Sequence, residues 1–271
     1  MSAADTAVIV VRDLWKIFPG RTFIRRDALQ GVTFSLEPGE IGGLLGRSGA
    51  GKSTTLKILA GLLRPTQGSA SIDVWDVVVW PTEARRRVGY VPESGGVFED
   101  LSPLEFLTLV GRFHGLDPET LRERSTGLLR RFDVDLLLRK DLPMREFSRG
   151  MKQEVLLAAA LLHDPPVFLL DDPFQGLDLV AKAALRDLLR RLAGEGKTVL
   201  LACNDLEVAR DLCTRLIVLR EGKVAATGTP SEMLRASGKP TLEEAFAALA
   251  DVGDALRDLD GLLQGLKERA T

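Results

Sequence analysis

The chain has 271 residues, 45% of them hydrophobic and 27% charged, enough apolar material to bury the core of an ordinary globular protein. Its 36 basic and 38 acidic side chains leave a formal charge of −2, which excludes a global field drawing it onto nucleic acid or anionic lipid, so no nucleic-acid partner is expected. Cys203 and Cys213 resemble no metal-ligand pairing, and residues 1–6 lack the basic and apolar segments of a secretory signal, so reduced thiols and a cytoplasmic location are expected.

In chain order, residues 7–11, 32–36 and 41–45 are β-branched and aliphatic runs that predict strands, the last two joined by a Glu37-Pro38-Gly39 turn. This opening predicts antiparallel β-structure. A helix is expected over 52–63, stopped by Arg64-Pro65, with strands following at 69–74 and 88–91. From about 101 to 142 the apolar spacing turns helical, through Leu104, Phe106, Leu107, Val110 and Phe113 to Leu128, Leu129 and Phe132, and predicts an inserted helical subdomain. Strands at 167–170, 198–202 and 216–219 then alternate with helices at about 151–162, 180–192 and 206–212. That alternation predicts a mostly parallel sheet covered by helices. Residues 241–271 form a helical tail in which Val252, Leu256, Leu259, Leu263 and Leu266 make a short coiled-coil seam, to be packed on its own domain or offered to a partner. The longest apolar runs, such as 155–162, fall far short of the roughly 20 residues that cross a bilayer, so any membrane role must pass through a partner.

Between a buried strand and a helix stands Gly46-Arg47-Ser48-Gly49-Ala50-Gly51-Lys52-Ser53-Thr54, which fits the phosphate-loop pattern G-x-x-x-x-G-K-[ST]. Glycines let the backbone curl so that successive N–H groups point at phosphate oxygens, and the helix N-terminus adds partial positive charge. Lys52 is expected at the β- and γ-phosphates of ATP and Ser53 at Mg²⁺. The strand 167–170 ends in Asp171-Asp172, and in a phosphate-loop protein the first carboxylate holds the magnesium ion.

Phe147-Ser148-Arg149-Gly150-Met151-Lys152-Gln153 opens the helix before that strand, and here the chain resembles the ATP-binding cassette family, in the signature variant S-x-G-M-x-Q of bacterial export cassettes. The resemblance runs from Leu14-Trp15-Lys16-Ile17-Phe18 to Gly228-Thr229-Pro230 and includes Gly176-Leu177-Asp178. It implies a P-loop NTPase of α/β class over residues 1–240. That fold has a mostly parallel sheet, an N-terminal antiparallel β-subdomain, a helical insertion at 101–142 and a signature helix from 148. It also implies two cassettes stacked head to tail, so that Ser148, Arg149, Gly150 and Asp178 serve the nucleotide of a second cassette. Phe18 matches the ring that stacks on adenine, or is a core aromatic at a strand end. Glu93 stands where the family usually has a glutamine that ligates magnesium. A separate transmembrane permease completes the implied machine, with this chain peripheral on the inner face of the membrane.

Two positions depart from the family pattern. Asp172 replaces the catalytic glutamate, and a side chain one methylene shorter withdraws its carboxylate by roughly 1.5 Å; general-base help is worth about 10²- to 10⁴-fold. Asn204 replaces a histidine at the γ-phosphate and cannot carry its positive charge. Binding positions are thus kept while hydrolytic ones are weakened. The expectation is an ATPase slow at its own site and paired with a different, competent cassette, against the alternative of a homodimer whose Asp172 works through a water. A soluble regulatory or nucleic-acid-associated cassette is the rival reading. The interval between Lys52 and Ser148 is too short for the long coiled coil of repair cassettes, and only one cassette is present where ribosomal types carry two.

Overall fold

A computed structural model describes residues 8–19, 26–132 and 142–249. Its first half contains β1 (Ile9–Phe18), β2 (Arg26–Leu36), β3 (Ile41–Leu45), α1 (Lys52–Leu59), β4 (Gln67–Ile72), β5 (Trp75–Asp76), α2 (Pro81–Arg86) and β6 (Val88–Val91). Then come α3 (Pro103–Phe113), α4 (Pro118–Arg131), α5 (Arg149–Leu161), β7 (Val167–Asp171), α6 (Leu179–Gly194) and β8 (Thr198–Ala202). The last elements described are α7 (Leu206–Leu212), β9 (Arg215–Arg220), β10 (Lys223–Gly228), α8 (Pro230–Ser237) and α9 (Leu242–Leu249).

Two sheets result. The first is antiparallel, in the order β2-β1-β4-β5, and the second runs β10-β9-β3-β8-β7-β6, parallel except for β10. All five residues of β3, β7 and β8 are buried, as strands covered on both faces must be. Their side chains sort by the strand period of two. Phe168 and Leu170 of β7, with Val199 and Leu201 of β8, join one core with α5 and α6. Val167, Leu169, Leu200 and Ala202 join the other, with α1 and the antiparallel sheet. The larger sheet is therefore a partition between two cores, and both fix its edge.

The antiparallel opening and the parallel sheet agree with the sequence reading, except that β3, read as part of the antiparallel opening, is a parallel strand between β8 and β9; other corrections are local. β1 continues to Phe18 through Arg12 and Asp13 because the strand is irregular there, with Asp13 at φ 44° and its pairing to β2 shifting register. β2 begins six residues before the expected strand. α1 stops at Leu59, since Gly61 at φ 66° turns the chain out of the helix before Arg64-Pro65 is reached. Among the described residues of 101–142 there are two helices, each capped by a side chain, Ser102 on α3 and Asp117 on α4. The backbone on either side of them is tied together, Met144 N–H to Leu101 O at 2.9 Å and Arg145 N–H to Glu99 O at 2.8 Å. α2, β5, β10 and α8 were not anticipated. Residues 133–141 and the seam from Val252 to Leu266 lie outside the described residues.

α5 approaches β6 closely at Gly89, where a Cβ would stand 2.5 Å from the Ala160 carbonyl oxygen and 3.0 Å from the Phe168 ring. Backbone on one side and a fully packed ring on the other leave no room for a methyl group. Gly89→Ala is expected to lower unfolding free energy by about 1–3 kcal/mol, read as a lower urea midpoint with an unchanged slope.

Candidate functional site

The carboxyl ends of β3, β6, β7 and β8 stand side by side, with Leu44 and Asp171 both opposite Ala202 and Val91 opposite Leu170. In an open parallel sheet this is the edge where ligands bind. The loops leaving it bring Ser48, Gly49, Gly51, Lys52, Ser53, Thr54, Glu93, Asp171, Asp172, Ala202 and Asn204 into one cleft of about 350 Å³. Phe18, Arg26 and Ala28 of the antiparallel sheet line its other side.

Gly51, at φ 111°, is the N-cap of α1 and supplies no side-chain cap. A Cβ there would meet Leu29 Cδ2 at 2.6 Å and Ala28 O at 2.8 Å, so only glycine lets the loop lie this close to β2. With no side chain on the first amides, the positive end of α1 is left for an anion. Ser148, Asp178 and Asp205, in contrast, each cap the helix that follows them. The loop is held from below, Ala50 N–H donating to Arg47 O at 3.0 Å and Gly222 N–H to Ala50 O at 3.1 Å. Lys52 lies across it, Nζ donating to Gly46 O at 2.6 Å and Arg47 O at 3.2 Å. Burial pulls the Lys52 ammonium below its usual pKa, opposed first by Asp171.

Ser53 Oγ donates to Asp171 Oδ1 at 3.0 Å, and Asp171 is only 3% exposed. Burial raises the Asp171 carboxyl above the ordinary carboxylate range; the Ser53 bond opposes that and the charge of Glu93 adds to it. Asp172 follows at φ 50°, its N–H donating to Ala202 O at 3.0 Å. Its Oδ2 accepts from Asn204 Nδ2 at 3.2 Å, so the two positions that depart from the family pattern are bonded to each other. Burial raises the Asp172 carboxyl too, against that hydrogen bond.

Convergent carboxylates beside a hydroxyl suit a hard, oxygen-seeking cation. Among the described residues no cluster of three or more His, Cys, Asp or Glu would hold a metal alone. Mg²⁺ takes one or two protein carboxylates and completes its shell with water and substrate phosphates.

The signature residues lie elsewhere. Ser148, Arg149, Gly150 and Asp178 do not line the cleft. Ser148 Oγ accepts from Met151 N–H at 3.2 Å, and Asp178 Oδ1 accepts from Ala181 N–H at 2.8 Å. Arg149 turns onto its own chain, its guanidinium donating to Gln175 Oε1 and, at 3.5 Å, to Glu93 O.

Sequence reasoning missed three residues here. Arg26 reaches the cleft only because β1 pairs it with Phe18 across 20–25, and no linear motif marks that pairing. Tyr90 carries a buried hydroxyl without a protein partner, its pKa pushed up to about 12 by burial and then by Asp171 and Glu93. Gln175, in the turn after β7, accepts from Arg149 and belongs to no motif.

Residues 29–175 match the protein family described as ABC transporter. The ABC-type transporter ATP-binding protein EcsA of Bacillus subtilis is 37% identical over 211 residues, 78% of this chain and 85% of the relative. The Nod factor export ATP-binding protein I of Ralstonia nicotianae is 35% identical over 265 residues, 98% and 78% of the two chains. Among solved structures, an ATP-binding subunit of an ABC transporter superposes with a TM-score of 0.80 at 34% identity, covering 89% of this chain and 99% of that one. A dimeric ATP-binding cassette in a post-hydrolysis state, bound to ADP and Pi, gives 0.76 at 28% identity, with 82% and 98% covered.

A carboxyl whose native pKa lies above its unfolded value makes the fold less stable as pH climbs through that interval, and the penalty vanishes once both states are protonated. Asp171→Asn, which keeps an acceptor for Ser53, is therefore expected to raise the melting temperature of the ligand-free chain at pH 7. The gain should shrink toward about pH 4. Calorimetric scans across that range check it, and equal melting temperatures at pH 7 would refute it.

Proposed function

The chain belongs to the ABC transporter family, and from that membership and the cleft we propose that it is the MgATP-binding subunit of a membrane exporter, working with a separate permease. The observation that carries the reading is a divided site. The phosphate loop, Lys52, Ser53 and Asp171 line one cleft, while Ser148 and Gly150 lie outside it on the exposed start of α5. One chain thus offers half of each of two sites, which supports ATP-dependent closure onto a second cassette. The export direction rests on relatives such as the Nod factor export protein, and no described helix is long and apolar enough to cross a membrane. A place on the inner face of the membrane, against a permease, follows from the same reading.

Within the cleft, the loop amides and Lys52 hold the phosphates, and moving Lys52 Nζ from the Gly46 and Arg47 carbonyls to a phosphate costs no new desolvation. Ser53 and Asp171, with Glu93, hold Mg²⁺, which supplies charge neutralisation at the β- and γ-phosphates when bound. Phe18 and Arg26 border the nucleotide at the antiparallel sheet. Ser148 has committed a lone pair to its own helix and keeps its O–H to donate to a second cassette's nucleotide. Gly150 and Asp178 face that same partner.

Asp172 is the group that would polarise the attacking water. Its own-site turnover is slow on two grounds: the side chain is short, and one of its oxygens already accepts from Asn204. A heteromeric pair with one competent site suits this better than a homodimer. Restoring the lengths with Asp172→Glu/Asn204→His is expected to raise turnover by about 10- to 100-fold with little change in nucleotide affinity, measured by phosphate release and calorimetric titration. Brisk wild-type turnover that the double substitution leaves alone would refute the slow site. Co-purification from detergent-solubilised membranes tests the transport role: a multispanning protein is expected, whereas RNA, DNA or a soluble partner alone would overturn it.

A further inference from the structure

Arg149 is the first residue of α5, a helix with no acidic residue in its first turn. A cation at the positive end of a helix opposes the macrodipole, so its placement calls for an acceptor outside the helix. Two are present on the same chain. The guanidinium donates to the Gln175 side chain and, at 3.5 Å, to the Glu93 carbonyl. The aliphatic stem lies on Gly176, at φ 80°, where a Cβ would stand 3.3 Å from Arg149 Cδ and 3.5 Å from Cγ. Gly176 thus supplies both a turn and a seat.

Gln175 belongs to the turn that follows β7, and its N–H donates to Asp172 O at 3.2 Å. Glu93 leaves β6, the strand beside β7. One side chain therefore spans the two loops that carry Glu93 and Asp172, and its charge favours the ionised form of Asp172. Both bonds leave from one terminal nitrogen, Nη2, so a lysine ammonium has donors enough for the two acceptors and falls short only in the reach of its stem.

We propose that Arg149 is a positioning residue for this chain's own Mg²⁺ and water site, fastening the 172–176 turn and the Glu93 segment to the start of α5 through Gln175, Gly176 and the Glu93 carbonyl. The role rests on the reading of Glu93 and Asp172 given above. It differs from that of Ser148 beside it, whose hydroxyl faces outward. The start of α5 thereby becomes a joint between the surface offered to a second cassette and the chemistry of the cleft.

Hydrogen exchange on the full-length, nucleotide-free chain tests the tether without needing a partner or turnover. Arg149→Ala is expected to speed exchange about three- to tenfold over residues 92–96 and 172–178 and to leave 46–54 unchanged. Arg149→Lys should restore only part of the protection. Gln175→Ala should reproduce the loss at 172–178, and the double Ala variant should go no further than Arg149→Ala alone. With ATP bound, Mn²⁺ titrated as a spectroscopic stand-in for Mg²⁺ should bind several-fold more weakly to Arg149→Ala. Unchanged exchange at 92–96 and 172–178, or losses that multiply in the double variant, would overturn the tether; unchanged Mn²⁺ affinity would overturn its role at the metal. A wild-type chain that fails to bind MgATP would overturn the reading of the cleft instead, and the exchange data would still judge the tether.

Discussion

The hydrogen bond from Ser53 Oγ to Asp171 Oδ1, 3.0 Å long, joins the first turn of α1 to the end of β7. It stands where two cores meet, since β7 sends Phe168 and Leu170 to one and Val167 and Leu169 to the other. A carboxylate held there by its strand cannot retreat to water. Lys52, Asp171 and Asp172 are all perturbed by burial before any other cause, and each has neighbours that only partly offset it. The cleft is thus a place where charge is held at a cost to the fold, and a metal–nucleotide complex brings counter-charges to it. Sites of this kind trade stability for affinity.

Much of this could be read along the chain because the determinants are contiguous. The phosphate loop is one unbroken segment, and β3, β7 and β8 are apolar at every position because both faces are covered. Where coverage is one-sided or the strand is irregular, the signal fades. β1 runs on through Arg12-Asp13 because the chain bulges there, and β10 alternates small residues with exposed ones at the rim of the larger sheet. The end of α1 was misjudged because Arg64-Pro65 looked like the stop while Gly61 acted first.

The site followed the same division. Motifs named Lys52, Ser53 and Asp171, since their roles depend on spacing in one dimension. Arg26, Tyr90 and Gln175 have roles set by what lies across a strand pair or a turn, and no local pattern records that. Arg149 is the sharpest example: its sequence position pointed outward with the rest of the signature, and only the fold brings Gln175 and Gly176 under it. The distinction is physical, because an arginine stem is long enough to reach in either direction and its choice is made by acceptors distant in sequence.

Asp172 and Asn204 then acquire a meaning that substitution alone did not give them. Taken singly, each is a shorter side chain than the family pattern places there. Bonded to each other at 3.2 Å, they form a small closed unit: the amide that cannot carry a charge is used to hold the carboxylate, and the carboxylate is steadied in a backbone conformation few residues adopt. In the role proposed for Asp172, such a unit keeps the shape of that end of the cleft while holding the carboxylate on Asn204. Arg149 acts on the same carboxylate from the other side, through the Gln175 turn. On the proposed reading, a cleft braced in this way holds nucleotide through a cycle and leaves the timing of that cycle to the second cassette.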